Sequence, residues 1–157
     1  VRTYVHFNRV PGVWFLSLDC NSAAAVLGAR TFFHLPYYNA AIELNQEGNT
    51  IDYALSRTED PPAAFRASWL TGESLPFAHP GSLDFFLTER YCLYSEDVAE
   101  IYRSRIYHQP WPLQKASLVS FESTMIESHG LPTPEGDPLL HYAEKISVEI
   151  WPLANVK

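Results

Sequence analysis

The hydrophobic pattern along the chain is mostly of period two. Over residues 1–8, Val1, Thr3, Val5 and Phe7 alternate with Arg2, Tyr4, His6 and Asn8. That spacing predicts a strand with one buried face. Pro11-Gly12 predicts a turn. Residues 13–18 then carry apolar side chains on both faces (Val13, Trp14, Phe15, Leu16, Leu18), as a strand inside a sheet does. Residues 38–45 and 50–57 alternate again. The link Gln46-Glu47-Gly48-Asn49 between them predicts a hairpin. Further strands are expected over 63–70, 91–95, 101–108, 115–121 and 144–151. The Pro- and Gly-containing stretches 71–81 and 129–138 read as loops.

Two stretches break the alternation. After Asp19, Asn21 or Ser22, each a possible N-cap, residues 22–33 space Ala23, Val26, Leu27, Arg30 and Phe33 as one helical face. Pro36 follows the expected end. Ser82 caps a second, short helix reaching about Glu89, with Asp84 in its first turn. About nine strands and two or three short helices place the chain in the α+β class, mainly antiparallel, as a barrel or sandwich, with an open two-layer sheet as the competing layout. The 157 residues suit a single domain over 1–157.

Composition removes several function classes. The formal net charge is −7 and the eleven basic residues are scattered, so a nucleic-acid backbone is not an expected partner. No apolar run reaches the roughly 18–20 residues of a membrane span, and no secretory leader is visible. Cys20 and Cys92 match no metal spacing and no disulfide framework, which suits free thiols in a reducing cytoplasm. The six histidines include no close pair and no His-Glu-x-x-His, so no metal and no cofactor are expected. Aromatic residues reach 14%, which favours a β-rich core or an aromatic-lined cavity.

Arg30 is the only formally charged side chain between Asn21 and Ile42. It lies within the apolar stripe of a helix whose other face (Ala24, Ala25, Gly28, Ala29, Phe32) is also apolar. Such a helix is expected to be buried, and Arg30 at least partly with it. A buried guanidinium requires a partner. Two partners remain open, an internal carboxylate such as Glu43, Glu89 or Glu149, or an anionic ligand held by the two-pronged guanidinium fork, and exposure of the long stem at the helix end is a third reading.

Several separated motifs agree with one family. Gly12-Val13-Trp14-Phe15-Leu16-Ser17-Leu18-Asp19 comes first, then Gly28-Ala29-Arg30-Thr31-Phe32-Phe33-His34-Leu35-Pro36-Tyr37-Tyr38. Phe86-Leu87-Thr88-Glu89-Arg90-Tyr91-Cys92-Leu93-Tyr94 and His108-Gln109-Pro110-Trp111-Pro112-Leu113-Gln114 follow. With these runs the chain resembles the YqjF-like family of bacterial proteins of unknown function, in the acetoacetate-decarboxylase-like superfamily. The resemblance implies a β-barrel with a central cavity. It covers the family's C-terminal two-thirds, so the chain is expected to lack the family's N-terminal segment. A barrel lacking strands exposes sheet edges, and pairing into a homo-oligomer is then an expectation.

In the decarboxylase an arginine on a helix precedes a proline and two lysines, the first of which forms a Schiff base. The resemblance places Arg30 and Pro36 on that arginine and proline. Tyr37 and Tyr38 stand where the lysine pair would be, and a phenol forms no imine. The expected ligand-binding residues are therefore Arg30 for an anion, Tyr37 or Tyr38 and His34 at its polar end, and Glu89, His108 and Trp111 around the pocket. A small organic acid or carbonyl compound is the expected ligand, without Schiff-base chemistry. The competing reading is a non-catalytic ligand-sensing or assembly module, with Arg30 as an internal strut.

Overall fold

The structure is a computed structural model and describes residues 1–156. The chain opens with β1 (Arg2–Phe7), β2 (Val10–Phe15) and β3 (Leu18–Cys20), followed by helix α1 (Ala23–Phe33). Next come β4 (Tyr37–Glu47), β5 (Thr50–Arg57), β6 (Ala64–Ser74) and helix α2 (Leu83–Thr88). β7 (Cys92–Asp97), β8 (Glu100–His108) and β9 (Gln114–Ser123) are followed by the short strands β10 (His141–Tyr142), β11 (Val148–Ile150) and β12 (Ala154–Asn155).

The strands form two six-stranded sheets. One runs β1-β2-β7-β8-β11, with β12 also on β8; the other runs β10-β9-β6-β5-β4-β3. Pairing is antiparallel except between β2 and β7 and between β3 and β4. The class is α+β and mainly antiparallel. The pairings do not close the strands into one ring among the described residues. No helix among them is long and apolar enough to cross a membrane.

Local chemistry explains the elements. Ser22 caps α1 by accepting from the Ala25 N–H, and Ser82 caps α2 by accepting from Phe85. The first turn lies at Asn8-Arg9, not at Pro11-Gly12. Asn8 and Arg9 both adopt positive φ, the conformation that two-residue hairpins of the commonest type require. Gly12 instead lies inside β2. A β-carbon there would sit 2.7 Å from the Tyr94 ring and 2.8 Å from the Cys92 carbonyl, so glycine is what lets β2 approach β7 this closely. Val13, Leu35 and Leu93 form a buried cluster under that contact, with Phe15, Leu18, Tyr37 and Ile106 packed on it.

In the second sheet, register aligns Leu44, Tyr53, Ala67 and Phe121 in one cross-strand row. Ile51 and Leu55 share that inner face by alternation. Glu43, Ala54, Arg66 and Glu122 align on the opposite, polar face. Arg57 continues the apolar phase 51-53-55 of β5. It is buried there, held to Asp19 of β3 by Nε–Oδ1 at 2.7 Å and Nη2–Oδ2 at 3.1 Å. Their side chains are 0% and 2% exposed. Its third nitrogen, Nη1, donates to the Pro61 carbonyl at 3.0 Å, and the Tyr38 ring lies 3.9 Å from the guanidinium carbon. Nearby, His129 Nε2 contacts the Ser17 hydroxyl at 3.0 Å. Burial, and then the Arg57 charge, hold this imidazole below its ordinary pKa.

Helix α1 departs from expectation. Only Val26 is buried along it, while Leu27 is 67% and Phe32 70% exposed. The helix packs one narrow stripe against β3 and β4 and leaves its second apolar face unpartnered. Arg30, four residues on from Val26, bonds the start of β4 yet is exposed.

The Arg57–Asp19 pair yields a stability prediction. Arg57→Met strands a buried carboxylate and is expected to cost roughly 3–5 kcal/mol in urea unfolding. Adding Asp19→Leu is expected to recover most of that loss, because the unpaired charge is then gone. Additive losses in the double variant would contradict the pairing.

Candidate functional site

A cavity of about 290 Å³ lies against the inner side of the first sheet. Val13 and Phe15 of β2, Leu93 of β7 and Ile106 of β8 supply its apolar wall, with Leu18 and Leu35 closing it from the second sheet's side. Val148 and Ile150 of β11 complete the rim. Its polar complement is Arg2, Tyr37, Thr88, Arg90, His108 and Trp111. Among the described residues, no carboxylate and no lysine lines it.

The polar groups gather around the end of α2. Arg2 Nη2 donates to the Leu87 carbonyl at 2.9 Å and to the Tyr4 hydroxyl at 3.3 Å. Arg90 Nη1 donates to the Glu89 carbonyl at 3.1 Å, and its guanidinium carbon lies 4.4 Å from the centre of the Phe86 ring. His108, at the end of β8, is buried. Its Nδ1 faces the Gln109 carbonyl at 2.8 Å and its Nε2 the Arg90 carbonyl at 3.3 Å. Pro110, having no N–H to donate, follows where the strand ends. Trp111 meets His108 edge-on at 5.9 Å.

Glu89 is the buried brace behind this wall. Its Oε1 accepts the Trp111 backbone N–H at 3.2 Å and lies 3.4 Å from the Thr88 hydroxyl, and its Oε2 accepts the Tyr91 hydroxyl. Burial, and then the bond to Glu89, push the Tyr91 phenol up to about 12. The Tyr91 ring stacks on His108 at 4.7 Å. Burial also raises Tyr37 above its ordinary range, with Cys20 adding to it.

Two donors on this wall stand out. The Arg90 Nε–H and the Trp111 Nε1–H are sealed from water and have no hydrogen-bond partner. An unsatisfied buried donor costs about 1–3 kcal/mol, and each belongs to a side chain bordering the cavity.

Of the seven residues expected from the sequence, Tyr37, His108 and Trp111 line the cavity, and Glu89 holds the loop that carries Trp111. Arg30, His34 and Tyr38 do not line it. Arg30 is 42% exposed. Its Nε donates to the Tyr37 carbonyl and its Nη2 pairs with Glu59, both at 2.6 Å. The expected carboxylates Glu43, Glu89 and Glu149 are not its partners. The Asn39 backbone N–H, with Arg30 beside it, holds the Glu59 carboxyl below the usual range. His34 ends α1 in a left-handed conformation, and its Nδ1 lies 3.7 Å from Asp97. Tyr37 and Tyr38 point to opposite faces, as successive strand residues must: Tyr37 reaches the cavity and Tyr38 stacks on Arg57.

The sequence reading missed Arg2 and Arg90 as wall residues. Arg2 occupies the outward phase of its alternating strand, and Arg90 reads as a local neighbour of Glu89. Arg57 had a legible signal, being a charge on the apolar phase of β5.

Other hollows are chemically less suited. Two of about 440 Å³ lie along the polar face of the second sheet, around Glu43, Ala54 and Arg66. A third, of about 470 Å³, lies over Tyr53, Phe65 and Phe121 and has no arginine or lysine side chain on its wall among the described residues. Among the described residues, no three His, Cys, Asp or Glu side chains gather as a metal site. Cys20 and Cys92 are free.

Comparison with known proteins places this geometry. The solved structure of acetoacetate decarboxylase superposes over 99% of this chain and 66% of its own, with a TM-score of 0.56 and 14% identity. At that identity the likeness shows the fold alone. The uncharacterized protein YqjF of Bacillus subtilis (strain 168) is 47% identical over 154 residues. The match covers 98% of this chain but only 63% of that relative's length. A family model described as an uncharacterized conserved protein, a domain of unknown function, matches residues 1–147. The chain belongs to this family of uncharacterized conserved proteins, on an acetoacetate-decarboxylase-like fold.

Proposed function

We propose that this protein binds a small organic acid or carbonyl compound in the cavity between β2, β7, β8 and the start of β4, and that it does not act as a Schiff-base decarboxylase. The observation that carries the reading is the imbalance of charge on the wall. Arg2 and Arg90 border a largely apolar hollow with no carboxylate to neutralise them. The unpartnered N–H groups of Arg90 and Trp111 belong to that same wall. A guanidinium and an indole N–H are donors only, so the complementary ligand group is an acceptor, best an anionic one. In a mostly apolar enclosure such a contact is stronger than at an exposed surface. The anchor is Arg90, not Arg30, whose guanidinium is already paired with Glu59.

The absence of Schiff-base chemistry rests on the amines. Lys115 is exposed and bonded to Glu73, Lys145 is exposed, and neither lines the cavity. Tyr37 contributes a phenol with a raised pKa, suited to donating a hydrogen bond and unable to form an imine.

A second reading, an assembly module, is favoured by the exposed apolar side chains Leu27 and Phe32 on α1 and Phe121 on β9. Under it the internal strut is Arg57. The free thiols Cys20 and Cys92 support a reducing, cytoplasmic setting.

Calorimetry with a set of small carboxylates tests the binding reading. Arg90→Ala is expected to weaken the best acid by roughly 10- to 100-fold, since a charge-assisted bond contributes about 1.5–3 kcal/mol. Arg30→Ala is expected to leave that affinity unchanged. Loss of binding in Arg30→Ala with none in Arg90→Ala would move the anchor back to the helix. For the chemistry, borohydride reduction in the presence of a β-keto acid is expected to leave the intact mass unchanged. A mass gain mapping to a lysine would overturn the non-decarboxylase reading.

A further inference from the structure

We infer that the ligand class is the aliphatic monocarboxylates, acids with one anionic head and a plain hydrocarbon tail. This rests on the cavity reading above and narrows it by asking what the whole wall accepts.

The two kinds of wall residue are segregated. The charged groups, and the donors other than Tyr37, are tied to one short segment, Leu87 to Arg90. Arg2 is bonded to the Leu87 carbonyl, and Arg90 ends the segment. His108 contacts the Arg90 carbonyl, and Trp111 is tethered through its backbone to the Glu89 side chain. Away from that segment the wall is Val13, Leu35 and Leu93, the buried cluster at the centre of the first sheet's packing, with Phe15, Leu18 and Ile106 around it.

Apart from the single Tyr37 hydroxyl, that apolar part offers a ligand no polar side chain. His108 has both ring nitrogens facing backbone carbonyls, and the Thr88 hydroxyl donates to the Asp84 carbonyl. A second carboxylate on the far end of a ligand would therefore be desolvated with one phenol at most to compensate it. A methylene there replaces water by close apolar contact. The volume, about 290 Å³, is at the small end of ligand pockets, which span roughly 300–1,000 Å³. The tail is thus short, and its length is limited by the Val13–Leu35–Leu93 floor.

A chain-length series tests this on the unmodified protein by calorimetry, using acetate, butanoate, hexanoate, octanoate and decanoate, with glutarate and adipate as two-headed controls. Affinity is expected to rise roughly four-fold per added methylene, to stop rising once the tail reaches the floor, and to be at least ten-fold weaker for the dicarboxylates than for monocarboxylates of equal length. Ile106→Phe is expected to shift the best length downward.

The outcomes separate the two levels of the claim. Affinity that is flat with chain length, or dicarboxylates that bind as well as monocarboxylates, would overturn the aliphatic class while leaving an anion site at Arg90. Failure of every acid to bind would remove the cavity reading itself.

Discussion

The buried contact between Arg57 and Asp19 fixes how the chain passes from one sheet to the other. β2 belongs to the first sheet and β3, starting three residues after β2 ends, to the second. Asp19 sits on β3 and Arg57 on β5, so the pair spans β4, which lies between them. Two charges removed from water in this way are costly unless every lone pair and proton is used. Here the fork is two-pronged, Nη1 has the Pro61 carbonyl, and the Tyr38 ring lies over the guanidinium. The result is a strut whose net contribution to stability is modest but which leaves β3 little freedom to shift.

The cavity inherits its shape from that crossing. Leu18 follows the crossing directly, and Leu35 and Tyr37 enter where α1 hands over to β4, the strand that pairs with β3. They form the side of the cavity facing the first sheet, whose own wall exists because Gly12 lets β2 come close to β7. The helix and the two tyrosines flagged by the sequence thus have separate tasks. Tyr38 serves the strut, Tyr37 serves the cavity, and Arg30 fastens the outside of the turn to Glu59.

Much of the fold was legible because period-two alternation and caps are local signals. The 38–45 and 50–57 strands, their hairpin, and the caps at Ser22 and Ser82 need no long-range information. Strands of two or three residues, such as β3, β10 and β12, carry too little pattern to read, and they exist because a longer neighbour offers an edge. The position of Arg30 was misread for a related reason. A helix apolar all round predicts burial only if both faces meet a partner, and α1 meets one. The cavity's cations were hidden because their role depends on strands far apart in sequence. Arg2 reaches Leu87, 85 residues away, a contact no spacing rule encodes. The three expected residues that line the cavity came from strand exits and from the resemblance, not from any catalytic motif.

The central claim is that an anion enters the cavity beside the Arg90 guanidinium and the Trp111 side chain. The indole N–H resonances in a proton–nitrogen correlation spectrum report on this directly. The chain has four tryptophans, and only Trp111 borders the cavity. Titration with hexanoate is predicted to shift the Trp111 indole signal, saturably, while those of Trp14, Trp69 and Trp151 stay in place. An unmoved Trp111 signal at saturating acid, or a shift confined to the other three, would contradict the account.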